Sequence, residues 1–256
     1  MVNAPTAALL GAALAAGFVN ALAGGGTLLS FPALTASGLA PITANMTSTL
    51  ALAPGYLGAS VGQSRDLAGH GPRLRRLLPA AVLGGLIGAW LLLHSEPSLF
   101  RRLVPWLILS GAALLALQEP LGRRLRGRRP AAAAGETVEP PGWGTVAAVL
   151  VASVYGGYFG AGLSVILLAV LATGLADSLT RLNGLKQPLA LASNLTAALL
   201  FASGGPVPWA LVLPMAAAAW LGGLLGGRCA SWVDPRLLRR LVVVAGIVLG
   251  LALLRP

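Results

Sequence analysis

Residues 17–40 read GFVNALAGGGTLLSFPALTASGLA, and the fold turns on whether that stretch is one helix or two. It belongs to an apolar segment, 4–39, that is about 36 residues long, whereas one perpendicular crossing of a bilayer needs about 20. Gly24, Gly25 and Gly26 stand near its middle. Glycine is the poorest helix former after proline, so three in succession predict a break. A second long segment, 143–175, carries Gly156, Gly157, Gly160 and Gly162 at its own middle. Six further apolar segments have ordinary spanning lengths: 42–63, 75–93, 99–117, 179–203, 207–227 and 237–254.

The composition agrees. Of 256 residues, 56% are hydrophobic and only 10% charged, with a mean hydropathy of +0.81, whereas soluble chains carry about 25% charged residues. The sequence therefore reads as an all-α integral membrane protein of eight hydrophobic segments. A β-barrel would need alternating stretches of about 10 residues, and the chain has none. The net charge of +11 invites a nucleic-acid partner, but the arginines lie in short loops between spans, where they set topology. The partner is the lipid bilayer. Cys229 is the single cysteine, so no intrachain disulfide can form. The N-terminus lacks a basic n-region, and the first span reads as retained.

Basic residues decide between two topologies. If each of the eight segments crosses once, the two sides carry 10 and 8 Lys and Arg, which is almost no bias. If the first and fifth fold back as hairpins, the sides carry 15 and 3. Only the second arrangement obeys the positive-inside rule. It gives ten membrane elements, a cell (inner) membrane location, Arg-rich loops in the cytoplasm and both termini outside. Each half then has five elements, an odd number, so the halves are inverted repeats: 1–117 and 143–256, joined by a cytoplasmic linker, 118–142. At an offset of 136, Gly24 meets Gly160, Gly26 meets Gly162, and ASGLAPITAN lies over ATGLADSLTR. Paired broken helices in inverted repeats mark secondary transporters, with the substrate at the breaks.

Physics then selects the site residues. The second arm of each hairpin would begin near Thr27 and near Leu163. A helix N-terminus offers unpaired N–H groups and about half a positive charge, which suits small anions. Gly24, Gly25, Gly26, Gly160 and Gly162 allow close backbone approach, and Thr27 and Ser164 add hydroxyls. Asn45, Thr47 and Ser48 follow the first hairpin; Asn183, Lys186 and Gln187 follow the second. The last three share one helix face, and polar groups within a span face a cavity or one another. Lys186 is the only lysine of the chain and is a compact point charge suited to a small anion. The competing reading has Lys186 snorkelling to the headgroups. Asn194, deeper in the same span, reads as a helix–helix hydrogen bond. All seven acids fall in loops or at span ends, which disfavours a cation carrier. No nucleophile–base pair, cofactor motif or metal cluster stands out, and His70 and His94 read as structural. Small-residue faces such as Gly84, Gly85 and Gly88 would suit a homodimer.

Two stretches, GFVNALAGGGTLLSFPALTASGLAPITANMTSTLALAPGYLGA (17–59) and YGGYFGAGLSVILLAVLATGLADSLTRLNGLKQPLALASNLTAALLFASGG (155–205), resemble the TauE/SafE family of sulfite-exporter-type permeases. The shared elements are the glycine triplet, the N-x-T-S segment leading to Ala53-Pro54-Gly55, and an aromatic-glycine-glycine stretch followed by L-N-x-L-K. The resemblance implies a permease for small anions: sulfite, sulfonates, related organosulfur anions or organic acids. Pro188, directly after Lys186-Gln187, departs from the pattern. The rival readings are an anion channel through the same pore and a non-transporting membrane subunit.

Overall fold

In the computed structural model residues 5–126, 140–229 and 235–254 are described. They form ten α-helices: α1 (Pro5–Leu22), α2 (Thr27–Ala36), α3 (Pro41–Gly62), α4 (Gly71–Leu93), α5 (Pro97–Arg126), α6 (Trp143–Tyr158), α7 (Leu163–Gly174), α8 (Leu179–Gly204), α9 (Trp209–Arg228) and α10 (Pro235–Leu254). A 3-10 turn, Ser64–Leu67, joins α3 to α4. Both long apolar segments are interrupted at their glycines, between Leu22 and Thr27 and between Tyr158 and Leu163. α5 runs on to Arg126, into the stretch read as a linker. The rest of that stretch to residue 139 lies outside the described residues, as do Asp234 and Trp232.

Among the described residues three helices are long and apolar enough to cross a membrane: Gly71–Leu93, Pro97–Leu117 and Trp209–Arg228. α3 and α8 are of spanning length but carry the polar groups at issue, and both pass through a proline, Pro54 and Pro188, without interruption. The distribution of side chains is the reverse of a soluble protein's. Leu83, Ile87, Trp90, Leu213, Leu241 and Val248 are exposed, whereas Asn20, Ser30, Asn45, Ser48, Lys186 and Gln187 are buried. Lipid is the solvent that suits such a surface.

The packing is interlocked. α4 makes its extensive contacts with α6 and α8, not with its sequence neighbours; α9 makes its own with α1 and α3. α5 and α10 pack on each other. The reason is visible in two matching glycine ladders, LGGLIG (83–88) and LGGLLG (221–226), at an offset of 138. A methyl on Gly84 would sit 2.5 Å from the Leu150 carbonyl oxygen of α6, and one on Gly85 would strike Ser193 of α8. A methyl on Gly222 would strike Leu14 of α1, and one on Gly223 would strike Gly55 of α3. Without a hydrophobic drive between helices in lipid, such backbone approach is what holds them. The face of Gly84, Gly85 and Gly88 is thus consumed within the chain, which corrects the expectation that it serves a homodimer. Across the split at 118–142 each half lends a helix to the other: α4 packs on α6 and α8, and α9 on α1 and α3.

Candidate functional site

The two helix breaks are built alike. At the end of α1 the N–H groups of Ala23 and Gly24 both reach the Val19 carbonyl, at 2.8 and 2.9 Å. At the end of α6 those of Phe159 and Gly160 both reach Tyr155, at 3.0 and 3.3 Å. Gly24 and Gly160 each have φ of +80°, and Gly25 and Gly162 are also left-handed, a region glycine enters without strain. α2 then closes Leu29 and Ser30 onto Gly26 O, and α7 closes Val165 and Ile166 onto Gly162 O. The N–H groups of Thr27 and Ser164 stay outside these ladders, at the positive poles of the two helices.

The breaks also meet. Gly24 lies against Ser164, where an added methyl would be 2.7 Å from Cβ. Gly160 faces Thr27 Oγ1 and Asn194 Oδ1. Ser164 Oγ is buried with no hydrogen-bond partner among the described residues; the Tyr56 side chain approaches it outside good bonding geometry. Gly26 N is held by Asn20 Oδ1 at 2.7 Å, and Ser30 and Ser48 share a 2.7 Å hydrogen bond.

Around this centre each broken helix has its C-terminal carbonyl capped by an amide from the other half of the chain. Asn45 of α3 donates Nδ2 to Tyr158 O at the end of α6, 2.9 Å. Gln187 of α8 donates Nε2 to Ala21 O at the end of α1, 3.1 Å. Gln63 reaches Ala21 O as well, at 3.2 Å, and Asn183 donates to Gln63 Oε1 at 2.7 Å. Because carbonyl oxygens accept these bonds, the amide orientations are fixed, and Asn45 Oδ1 and Gln187 Oε1 are left buried without partners among the described residues.

The expected residues therefore fall into linked groups. Gly24, Thr27, Gly160 and Ser164 gather at the meeting of the breaks, while Gly26 packs on Ala16 and Asn20 of α1, Gly162 packs on Gly111 of α5 and Gly25 turns to Leu115 and Val242, on α5 and α10. Asn45 caps the end of α6, and Ser48 is bonded to Ser30 of α2. Thr47 bonds back to Thr43 O in its own helix, 2.7 Å, so its hydroxyl is already used. Gln187 caps the end of α1 directly, and Asn183 reaches it through Gln63. Lys186 is fully buried, its Nζ has no hydrogen-bond partner among the described residues, and Arg239 of α10 is the charged group that acts on it. A fully enclosed ammonium does not snorkel.

Sequence reasoning missed Asn20, Ser30, Tyr56 and Gln63. The available signal was a polar group inside an apolar span, but nothing in one sequence says which of these face inward. It also missed an ionic cluster beside the site. Arg73, buried in the first turn of α4, donates to Asp177 Oδ2 at 2.6 Å, and Arg181 lies 3.3 Å from Asp177 Oδ1. His70 Nε2 lies 3.7 Å from the same carboxylate. Burial, and then the two arginines, push the imidazole below its ordinary proton affinity against the pull of Asp177.

Comparison with known proteins places this architecture. A probable membrane transporter protein, YfcA, of Escherichia coli strain K12 is 27% identical over 247 residues, which cover 94% of this chain and 87% of the relative. A probable membrane transporter protein of Haemophilus influenzae is 28% identical over 234 residues, covering 91% and 88%. One from Sinorhizobium is 26% identical over 246 residues, covering 95% and 90%. The family model for the sulfite exporter TauE/SafE, a family of membrane transporters and not of enzymes, matches residues 9–253. With nearly its whole length matched, the chain belongs to the TauE/SafE family.

Proposed function

We propose that this protein is a secondary transporter of small anions, with sulfite, sulfonates and related organosulfur or organic-acid anions as its substrate class. The observation that carries the reading is Lys186: a fully enclosed ammonium without a hydrogen-bond partner among the described residues, under the field of a second cation, Arg239, and adjacent in sequence to Gln187, which caps the end of α1. A buried charge left in that condition is costly, and a bound anion would remove the cost. The N-terminal ends of α2 and α7 converge nearby, with Thr27 and Ser164 as hydroxyl donors and Asn45, Ser48 and Asn183 as hydrogen-bonding neighbours.

Matched breaks at an offset of 136, matched glycine ladders at 138 and reciprocal amide caps support two repeats related by a pseudo-two-fold axis. The distribution of Lys and Arg supports inversion of the repeats, with the Arg-rich loops cytoplasmic. Alternating access then moves two mixed bundles, α1–α3 with α9 and α6–α8 with α4, about the anion.

The test is thermal unfolding of the purified protein against a panel of anions, wild type beside Lys186→Met. A ligand at 100 times its Kd stabilises by about 2.7 kcal/mol through mass action. Sulfite or a sulfonate raises the wild-type melting temperature and leaves Lys186→Met unmoved if the reading is right. Equal response of both proteins removes Lys186 from the site, and no response to any anion removes the substrate class.

A further inference from the structure

Gly160 has no side chain, and the space its methyl would take is lined by oxygen. Beyond Gly160 itself and its two chain neighbours, the atoms nearest to that point are Gly156 O at 3.2 Å, Thr27 Oγ1 at 3.7 Å and Asn194 Oδ1 at 4.0 Å. Asn194 donates Nδ2 to Ala190 O at 2.9 Å, so its oxygen, not its nitrogen, faces the gap. Thr27 and Asn194 are only 6% and 4% exposed, and neither of the two facing oxygens is engaged in a hydrogen bond among the described residues. Gly156 belongs to the last turn of α6, the negative pole of that helix. At the matching place in the first half the space is gone: Ser164 Cβ stands 2.7 Å from the position of a methyl on Gly24.

We propose that this cradle, formed by Gly156 O, Thr27 Oγ1 and Asn194 Oδ1 against Gly160, binds a monovalent alkali cation of the size of sodium. The donor set excludes the other candidates. It has no titratable group, so it does not hold a transferable proton. Its oxygens are neutral, and calcium and magnesium sites draw on carboxylates; Asp66, Glu96 and Asp177, the acids with described side chains, lie at helix ends and loops. Carbonyl and hydroxyl oxygens at a helix C-terminal end are instead the usual surroundings of a coupling cation in a broken-helix carrier. The cation's role in coupling rests on the anion-transport reading; its binding does not. A cation there and an anion near Lys186 would each lower the cost of holding the other, so the two ligands would bind cooperatively.

The experiment is thermal unfolding of the full chain in sodium, potassium or choline chloride at one ionic strength. The expected result is a saturable upward shift of the melting temperature in sodium over choline, with potassium weaker. Thr27→Val, nearly isosteric, loses most of that shift, and Asn194→Asp, which keeps an oxygen in place, retains or enlarges it. Equal melting temperatures in sodium and choline overturn the proposal, as does a full sodium response in Thr27→Val. Stabilisation by an anion at fixed sodium, with no sodium effect of its own, leaves the anion reading standing and removes this one.

Discussion

At Gly24 a single methyl group is enough to disturb the contact between the two breaks. The residue sits at φ +80°, where any side chain costs about 1–2 kcal/mol, and the methyl would meet Ser164 Cβ at 2.7 Å. Gly160 shares the same φ, but its nearest neighbour is 3.2 Å away. Gly24→Ala is therefore expected to lower the melting temperature more than Gly160→Ala, which bears the same backbone term with a milder 3.2 Å contact on Gly156 O. The ionic cluster gives a second test. Truncating one member of a buried pair costs about 3–5 kcal/mol, so Arg73→Met should destabilise strongly in chemical or thermal unfolding. The folded state lowers the proton affinity of His70 from its ordinary value of 6.5. Folding thus releases a proton near that pH, and stability is complete above 6.5 and lost as pH falls from there toward the folded value. Melting temperature measured across this window should show the slope in wild type and a flatter line in His70→Gln. The glycines at the breaks were legible in the sequence because their chemistry is local. Asn20, Tyr56 and Asn194 were not, because whether a polar side chain faces a neighbour or a gap depends on a helix far away in the chain.

Among the elements, α4 and α9 are wedges whose glycines are spent on close approach. Gly88→Ala and Gly226→Ala should each lower stability, since the added methyl collides with backbone atoms of Val154 and Phe18. Gly11 of α1 has nothing within 4 Å of an added methyl, so Gly11→Ala should be neutral or stabilising by up to about 1 kcal/mol. The three variants, unfolded side by side, separate glycine as a packing surface from glycine as a weak helix former. The paired breaks were predictable from segment length and the glycine runs. The repeated ladders LGGLIG and LGGLLG were equally present in the sequence, but a short small-residue motif does not name the helix it will meet, and an outward-facing dimer surface was the natural misreading.

The whole molecule bears on sidedness. In the proposed orientation α4 crosses the membrane with the turn between α3 and α4 cytoplasmic and the turn between α4 and α5 outside. In a background with Cys229 replaced by alanine, Ser98→Cys should react with an impermeant thiol reagent in intact cells. Ser64→Cys should react only after permeabilisation. Labelling of Ser64→Cys without permeabilisation would overturn this orientation, and labelling of both from the same face would exclude a crossing by α4. The charge count is the sequence's argument for this orientation, which the labelling tests; the exchange of helices between halves was not readable, since it arises only when ten helices are packed at once.

That exchange has a bearing on how the protein is made. α4 leaves the ribosome well before α6 and α8, the helices on which it packs, and α9 arrives long after α1 and α3 have been inserted. Until α9 is made, the glycines of α1 and α3 on which it packs, Gly17, Gly55 and Gly58, lack their partner helix. A chain terminated at the linker should be degraded rapidly when made alone and rescued when the second half is supplied in trans, with each fragment completing the other's bundle.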